Sequence, residues 1–146
     1  MTDIRVTNNT ETQQPSLAEM TEVAIKILKK NSNGFFLMVE GSNIDHSHHN
    51  SRATQALHET VALDRAVEIA LQMVDDDDTL VIVTADHGHT MSISGYQSRG
   101  SDIRGIVDTG MGNDDKPYMI LNYANGEGYY DPVSYTHLTL PTNREV

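Results

Sequence analysis

The sequence predicts an α/β fold with a parallel sheet flanked by helices. Two continuous apolar runs, 35–39 and 80–84, are short and read as fully buried strands. Between them, residues 52–74 carry apolar side chains at helical spacing over about six turns. A strand, a helix and a second strand in this order form one right-handed parallel unit, and this unit is the basis of the prediction.

The remaining elements follow in chain order. A first helix is predicted from Leu17 to about Lys30, because Ser16 and Glu19 have the spacing of a capping box and apolar residues recur at helical intervals after them. The acidic run 75–78 is interpreted as a solvated loop rather than a calcium site. Residues 117–123 predict a third strand.

The two ends of the chain are treated separately. Residues 1–14 are polar and lack periodicity. The stretch Val133–Thr142 resembles the translated sequence of a sequencing-library adaptor, so residues 133–146 are interpreted as a non-native tail. The predicted domain therefore covers residues 15–132.

Composition limits the function classes. The 146 residues are 38% hydrophobic and 21% charged, which is an ordinary globular composition. The formal net charge of −11 argues against a nucleic-acid partner, which would require clustered Lys and Arg. The absence of cysteine excludes disulfides and thiolate metal sites. No run has the length of a membrane span, and no signal peptide is evident.

Histidines and carboxylates cluster directly after the two apolar runs. Five of the seven histidines lie in two short motifs, Asp45-His46-Ser47-His48-His49 and Asp86-His87-Gly88-His89. Glu40 precedes the first motif. In an open parallel sheet, ligands collect beyond the carboxyl ends of the strands, so both motifs are expected at a common site.

The spacing of these residues suits two or more divalent metal ions. Asp45 and His49 are four residues apart, so one helical turn would place them on one side, where they can share a zinc ion. Asp86 and His87 would bind a second metal at a strand end, and Glu40 adds an oxygen suited to magnesium or zinc. Paired metals bind phosphoryl oxygens, which indicates hydrolysis of a phosphate ester. The alternative is a set of surface histidines without a ligand role.

These motifs, with their flanking residues, resemble alkaline phosphatases of the animal membrane-anchored type, over most of residues 15–130. The specific part of the resemblance is the string Val39-Glu40-Gly41, Ile44-Asp45-His46, His48-His49. Thr84-Ala85-Asp86-His87-Gly88 is less specific, since phosphodiesterases, phosphomutases and sulfatases carry similar strings. The resemblance implies part of a three-layer α/β fold with a mostly parallel sheet.

The resemblance also implies a role for each matched residue. Glu40 would bind magnesium, Asp45 and His49 the first zinc, and Asp86 and His87 the second zinc. His46 and His89 would support these ligands from outside the coordination shell, whereas His48 is expected to have a structural or solvent-facing role. Two Zn²⁺ and one Mg²⁺ would be the cofactors.

The chain departs from the family pattern in several places. It contains no Asp-Ser-Ala string, so the nucleophilic serine and the phosphate-binding arginine are expected outside this chain, and no catalytic residue is assigned within it. His137 follows Thr136, but the Gly-Glu of the family's last zinc-ligand motif is absent. Gln14 stands where animal members carry a calcium-binding aspartate, which makes calcium doubtful. The chain is therefore expected to be an internal fragment without activity alone.

The resemblance further implies hydrolysis of small phosphomonoesters through a phosphoserine, in a homodimer anchored by lipid at the cell surface. Two alternatives stay open. One is a different hydrolase of the same superfamily, which would space its ligands differently. The other is a non-catalytic zinc-binding protein, which would hold zinc in a closed shell of four ligands.

Overall fold

The computed structural model describes residues 14–113 and 115–126, which form an α/β arrangement of three helices and one two-stranded antiparallel sheet. Their bounds are α1 Leu17–Leu28, α2 Ser42–His49, α3 Ala53–Met73, β1 Met91–Ile93 and β2 Leu121–Tyr123. Among the described residues, unit 1 takes 14–45 and 55–88, and unit 2 takes 46–54 and 89–126. None of the helices in these ranges has the length and apolar content to cross a bilayer.

Helix α1 begins at the predicted capping box. The Ser16 hydroxyl accepts a hydrogen bond from the Glu19 backbone N–H at 3.2 Å, and the Glu19 carboxylate accepts one from the Ser16 N–H at 2.6 Å. Two N–H groups that a helix start leaves without partners are thereby satisfied. Thr21 and Ile25 form the buried side of the helix. The prediction of this helix is confirmed.

Replacing Ser16 with alanine is expected to lower the free energy of unfolding by about 1 kcal/mol, because the Glu19 N–H loses its acceptor. Urea unfolding followed by circular dichroism measures the change. Ser32→Ala is the matched control, since Ser32 is exposed in the turn after α1. Equal midpoints for Ser16→Ala and the unmodified chain would contradict the stabilising role of the cap.

Helix α3 confirms the prediction over 52–74 almost to the residue. Ala56 and Ala66 are buried on its inner side. Small side chains at such positions let neighbouring segments come close to a helix. The backbone at Gly41 lies close to α3, because a Cβ atom placed there would be 3.3 Å from Leu63 Cδ2. At the far end, the Met73 carbonyl accepts a hydrogen bond from Lys29 Nζ at 2.7 Å, which ties α3 to the end of α1. The acidic residues 75–78 are exposed in a turn, as predicted.

The two apolar runs do not form the predicted buried strands. Neither 35–39 nor 80–84 belongs to a sheet among the described residues, and Phe36 and Leu80 are 89% and 84% exposed. The prediction of buried strands is wrong for these segments, and the parallel sheet is not confirmed. The reason is physical: an apolar run favours burial, but a ladder also requires a neighbouring strand in register, which the run itself does not supply.

Unit 2 contains the sheet and a small apolar core. Strands β1 and β2 pair antiparallel, with Met91 opposite Tyr123 and Ile93 opposite Leu121. The predicted third strand, 117–123, is confirmed in its last three residues, whereas its preceding part makes an isolated bridge between Ile106 and Met119. Strand β1 was not predicted, since three residues are too few to show a period of two. The core side chains are Val107, Ile120 and Leu121.

Candidate metal centre

In unit 1, the imidazole of His87 lies between two carboxylates. His87 Nε2 is 3.6 Å from Asp45 Oδ1 and 3.5 Å from Asp86 Oδ2. Asp45 is held by helix α2, whereas Asp86 and His87 follow the apolar run 80–84. We call Asp45, Asp86 and His87 the carboxylate–imidazole cluster. It brings together residues from both sequence motifs.

The distances in the carboxylate–imidazole cluster suit metal ligands. A good N–H···O hydrogen bond is about 2.7–3.2 Å long, so both separations from His87 Nε2 exceed it. Ligand atoms about 2.1 Å from a tetrahedral zinc ion lie roughly 3.4 Å from one another, which is close to the spacing observed here. Oxygen and neutral imidazole nitrogen are also ligand atoms that zinc accepts. Asp86 and His87 therefore have the spacing of two ligands of one divalent ion.

A hydrogen bond to its neighbour fixes which nitrogen of His87 faces the carboxylates. His87 Nδ1 is 3.0 Å from the Gly88 carbonyl oxygen. A carbonyl can only accept, so Nδ1 carries the proton, and in the neutral ring Nε2 keeps its lone pair. The His87 N–H in turn donates to Asp86 Oδ1 at 3.0 Å, which restrains that carboxylate. His87 thus has the kind of hydrogen-bonded ring nitrogen that metal-binding histidines have.

The same contacts favour the protonated ring when no metal is bound. The hydrogen bond to the Gly88 carbonyl raises the pKa of His87 above 6.5, and the negative charges of Asp86 and Asp45 act in the same direction. Partial desolvation opposes them. Because folding raises the pKa of His87, the protonated ring stabilises the folded chain. This stabilisation is fully present when the pH is below the pKa that His87 has in the unfolded chain. The stabilisation is lost as the pH rises through the pKa that His87 has in the folded chain.

An NMR titration of the metal-free chain is expected to show His87 with a pKa above 6.5, the ordinary value of an imidazole. Asp86→Asn should lower the pKa of His87, because one of the two negative charges that raise it is removed. Zinc affinity should rise with pH through this transition, because the ion displaces the proton. A His87 pKa that does not respond to Asp86→Asn would contradict the electrostatic assignment.

In unit 2, three histidines and a tyrosine pack against one another. His48 Nδ1 lies 2.8 Å from the hydroxyl oxygen of Tyr123. The rings of His48 and His89 stack with centroids 4.8 Å apart and planes 23° from parallel. The ring of His89 meets that of His49 edge to face at 5.1 Å. We call these four residues the histidine–tyrosine cluster.

Tyr123 is the member of this cluster that sequence reasoning missed. It ends strand β2, and burial raises its pKa, so the hydroxyl keeps its proton at neutral pH. A signal was available, since Tyr123 is also the last residue of the predicted third strand. Polar groups at strand ends are candidates for a site, and Tyr123 meets that description as well as the residues after the first two predicted strands do.

The turn after β2 is fitted against the residues that follow α2. Gly126 has a φ of 92°, and a Cβ atom there would lie 2.5 Å from Ser51 Oγ and 3.3 Å from the His49 carbonyl oxygen. Ser51 Oγ donates to the Asn125 carbonyl at 3.2 Å, and Thr90 Oγ1 donates to Asn125 Oδ1 at 2.7 Å. Only glycine suits position 126, because both its backbone conformation and its closeness to Ser51 exclude a side chain.

The other predicted residues are less completely placed. Glu40 is exposed at the end of the 35–39 segment, and His46 is exposed on α2. The helical turn from Asp45 to His49 is formed as part of α2. The metal assigned to each ligand stays a prediction for all of these residues. His137, most of the polar segment 1–14 and the tail 133–146 lie outside the described residues.

Comparison with known proteins places this chain in a family. A family model described as alkaline phosphatase matches residues 2–138. A membrane-bound alkaline phosphatase of Bombyx mori is 49% identical over 118 residues, which cover 81% of this chain and 21% of that protein. The tissue-nonspecific isozyme of Felis catus is 51% identical and that of Homo sapiens 48% identical, each over 122 residues, 84% of this chain and 23% of the relative. The chain thus spans less than a quarter of the length of these relatives, and it belongs to the alkaline phosphatase family.

Proposed function

We propose that this chain supplies metal ligands to an enzyme that hydrolyses phosphate monoesters. The observation that carries the proposal is the position of His87 Nε2, 3.6 Å or less from carboxylates of two separate motifs. In a member of the alkaline phosphatase family, a set of hard oxygens and one imidazole nitrogen at this spacing is suited to divalent metal catalysis of phosphoryl transfer. Exposure of the Asp86 and His87 side chains leaves the site open to a substrate.

We assign the ligands as the family resemblance implies. Asp45 and His49 would hold one zinc ion, Asp86 and His87 a second, and Glu40 a magnesium ion. When bound, these ions supply positive charge that offsets the charge of the phosphoryl oxygens. His46 and His89 would orient the ligands. Calcium is not part of the proposal, because Gln14 offers a neutral amide in place of a carboxylate.

The residues of this chain have binding and orienting tasks in the proposal. The Gly88 carbonyl holds the Nδ1 proton of His87, so that Nε2 is the nitrogen available to a metal. The Asp86 carboxylate is restrained by the His87 N–H. The attacking group would be a serine, with a phosphoserine formed and then hydrolysed. That serine and the phosphate-binding arginine would come from residues other than those of this chain, which has no Asp-Ser-Ala string.

The partners proposed are small phosphomonoesters and a second copy of the full enzyme. The net charge of −11 makes a nucleic-acid substrate unfavourable, because the phosphate backbone would be repelled. A position at the cell surface is proposed from the relatives, one of which is named a membrane-bound enzyme.

A chimera tests the proposed function. Residues 15–132 replace the matched segment of the feline tissue-nonspecific isozyme, and hydrolysis of p-nitrophenyl phosphate is measured with zinc and magnesium present. Turnover is expected in the chimera and is expected to disappear with His87→Ala but not with His58→Ala. A folded, zinc-loaded chimera without turnover would reject the assignment of this segment to a phosphomonoesterase.

A further inference from the structure

We propose that Tyr123 is a positioning residue that fixes the ring of His48, and through it the rings of His89 and His49. The consequence for zinc rests on the proposed function, since His49 is there a zinc ligand. The positioning itself concerns only contacts within unit 2. It assigns a task to Tyr123 and to His48, neither of which is among the proposed metal ligands.

Tyr123 restrains His48 in two ways. Its hydroxyl oxygen is 2.8 Å from His48 Nδ1, a hydrogen bond of ordinary length. Its ring lies edge to face with the imidazole, with centroids 5.8 Å apart and planes at 60°. One contact fixes the direction of Nδ1 and the other limits rotation of the ring. Tyr123 is itself anchored by the backbone pairing of β2 with β1, where it lies opposite Met91.

The restraint passes from His48 to two further rings. His89 stacks on His48 at 4.8 Å, so its plane follows the plane of His48. The rings of His49 and His89 pack edge to face, with centroids 5.1 Å apart. A metal ligand must hold its nitrogen within a few tenths of an ångström of the required position. The packing order Tyr123, His48, His89, His49 therefore links a hydroxyl group on β2 to the orientation of a proposed zinc ligand on α2.

The hydrogen bond also selects a tautomer of His48. A phenol is a strong donor and a weak acceptor, whereas the unprotonated nitrogen of a neutral imidazole is a strong acceptor. The favoured arrangement has the Tyr123 O–H donating to Nδ1, which leaves the ring proton of His48 on Nε2. Without the hydroxyl, nothing in this contact would distinguish the two nitrogens.

The test uses the full chain with ¹⁵N-labelled histidine and NMR detection of the ring nitrogens. In the unmodified chain at a pH where the ring is neutral, His48 is expected in the Nε2–H tautomer with Nδ1 accepting a hydrogen bond. Tyr123→Phe retains the aromatic ring and should shift His48 towards a mixture of tautomers. Tyr96→Phe is the matched control, because Tyr96 is 93% exposed and its hydroxyl faces water.

Zinc affinity is the second readout, measured by competition with a chromophoric chelator. Tyr123→Phe is expected to weaken zinc binding about 10-fold or more, the range seen when an outer partner of a metal ligand is lost, and Tyr96→Phe is expected to leave it unchanged. Circular dichroism confirms that both variants are folded.

The tautomer of His48 tests the positioning proposal, and zinc binding by the unmodified chain tests the proposed function. An Nδ1–H tautomer of His48 in the unmodified chain would overturn the positioning proposal without any variant being needed. So would a His48 spectrum that Tyr123→Phe leaves unaltered. Failure of the unmodified chain to bind zinc would count against the proposed function, whereas a tautomer shift in Tyr123→Phe would still support the positioning of His48.

Discussion

The purified 146-residue chain, supplied with zinc and magnesium, is expected to hydrolyse p-nitrophenyl phosphate no faster than the same buffer without protein. The chain contains no Asp-Ser-Ala string, and the proposed reaction begins with attack by that serine. Loss of the nucleophile alone costs roughly 10⁶-fold in turnover in a serine hydrolase that has been dissected residue by residue. Charge neutralisation by bound metal ions does not replace it.

The assay is informative because the chimera described above serves as its positive control. The same residues 15–132 are present in both proteins, so a difference in turnover reports what the remaining enzyme contributes. Robust turnover by the chain alone, abolished by His87→Ala, would show that the chain carries its own attacking group. In that case the phosphoserine route proposed here would have to be abandoned.

Replacing His87 with alanine is expected to weaken zinc binding to the isolated chain by at least about 100-fold. Loss of an outer partner of a ligand already costs about 10- to 100-fold in affinity, and His87 is proposed to contact the ion directly. The substitution also leaves Asp45 and Asp86 without the imidazole that lies between them. Chelator competition or calorimetry at neutral pH measures the affinity.

His58→Ala is the matched control for this substitution, because it removes an exposed imidazole from α3 outside both motifs. Zinc affinity in the control is expected to equal that of the unmodified chain. Equal loss in both variants would indicate that zinc binds histidines indiscriminately and would reject the carboxylate–imidazole cluster as the site. Tight binding of one zinc in a closed four-ligand shell would instead favour a non-catalytic zinc-binding protein.

Local signals in the sequence predicted the helices well. The capping box of Ser16 and Glu19 located the start of α1, and apolar spacing located α3 to within one residue at each end. Both signals act within a few residues along the chain, through backbone hydrogen bonds and i,i+4 neighbours. They therefore depend little on what the helix packs against.

The strands were predicted less well, because a strand depends on a partner segment that its own residues do not specify. Residues 35–39 and 80–84 have the composition of buried strands, but their hydrogen-bonding partners are not specified by that composition. Among the described residues both segments lie outside any sheet. In contrast, β1 forms from only Met91–Ile93, because β2 offers it a partner in register. Pairing is a property of two segments and is not encoded in either alone.

The sequence by itself determined the family and the residue types of the candidate metal site, because carboxylates and imidazoles in these motifs are specific at the level of short strings. It also predicted that Asp45 would lie near Asp86 and His87. Only the tertiary structure decided that Tyr123 bonds to His48. Positions 48 and 123 are 75 residues apart, and a contact over that separation arises from folding of the backbone between them rather than from any local pattern.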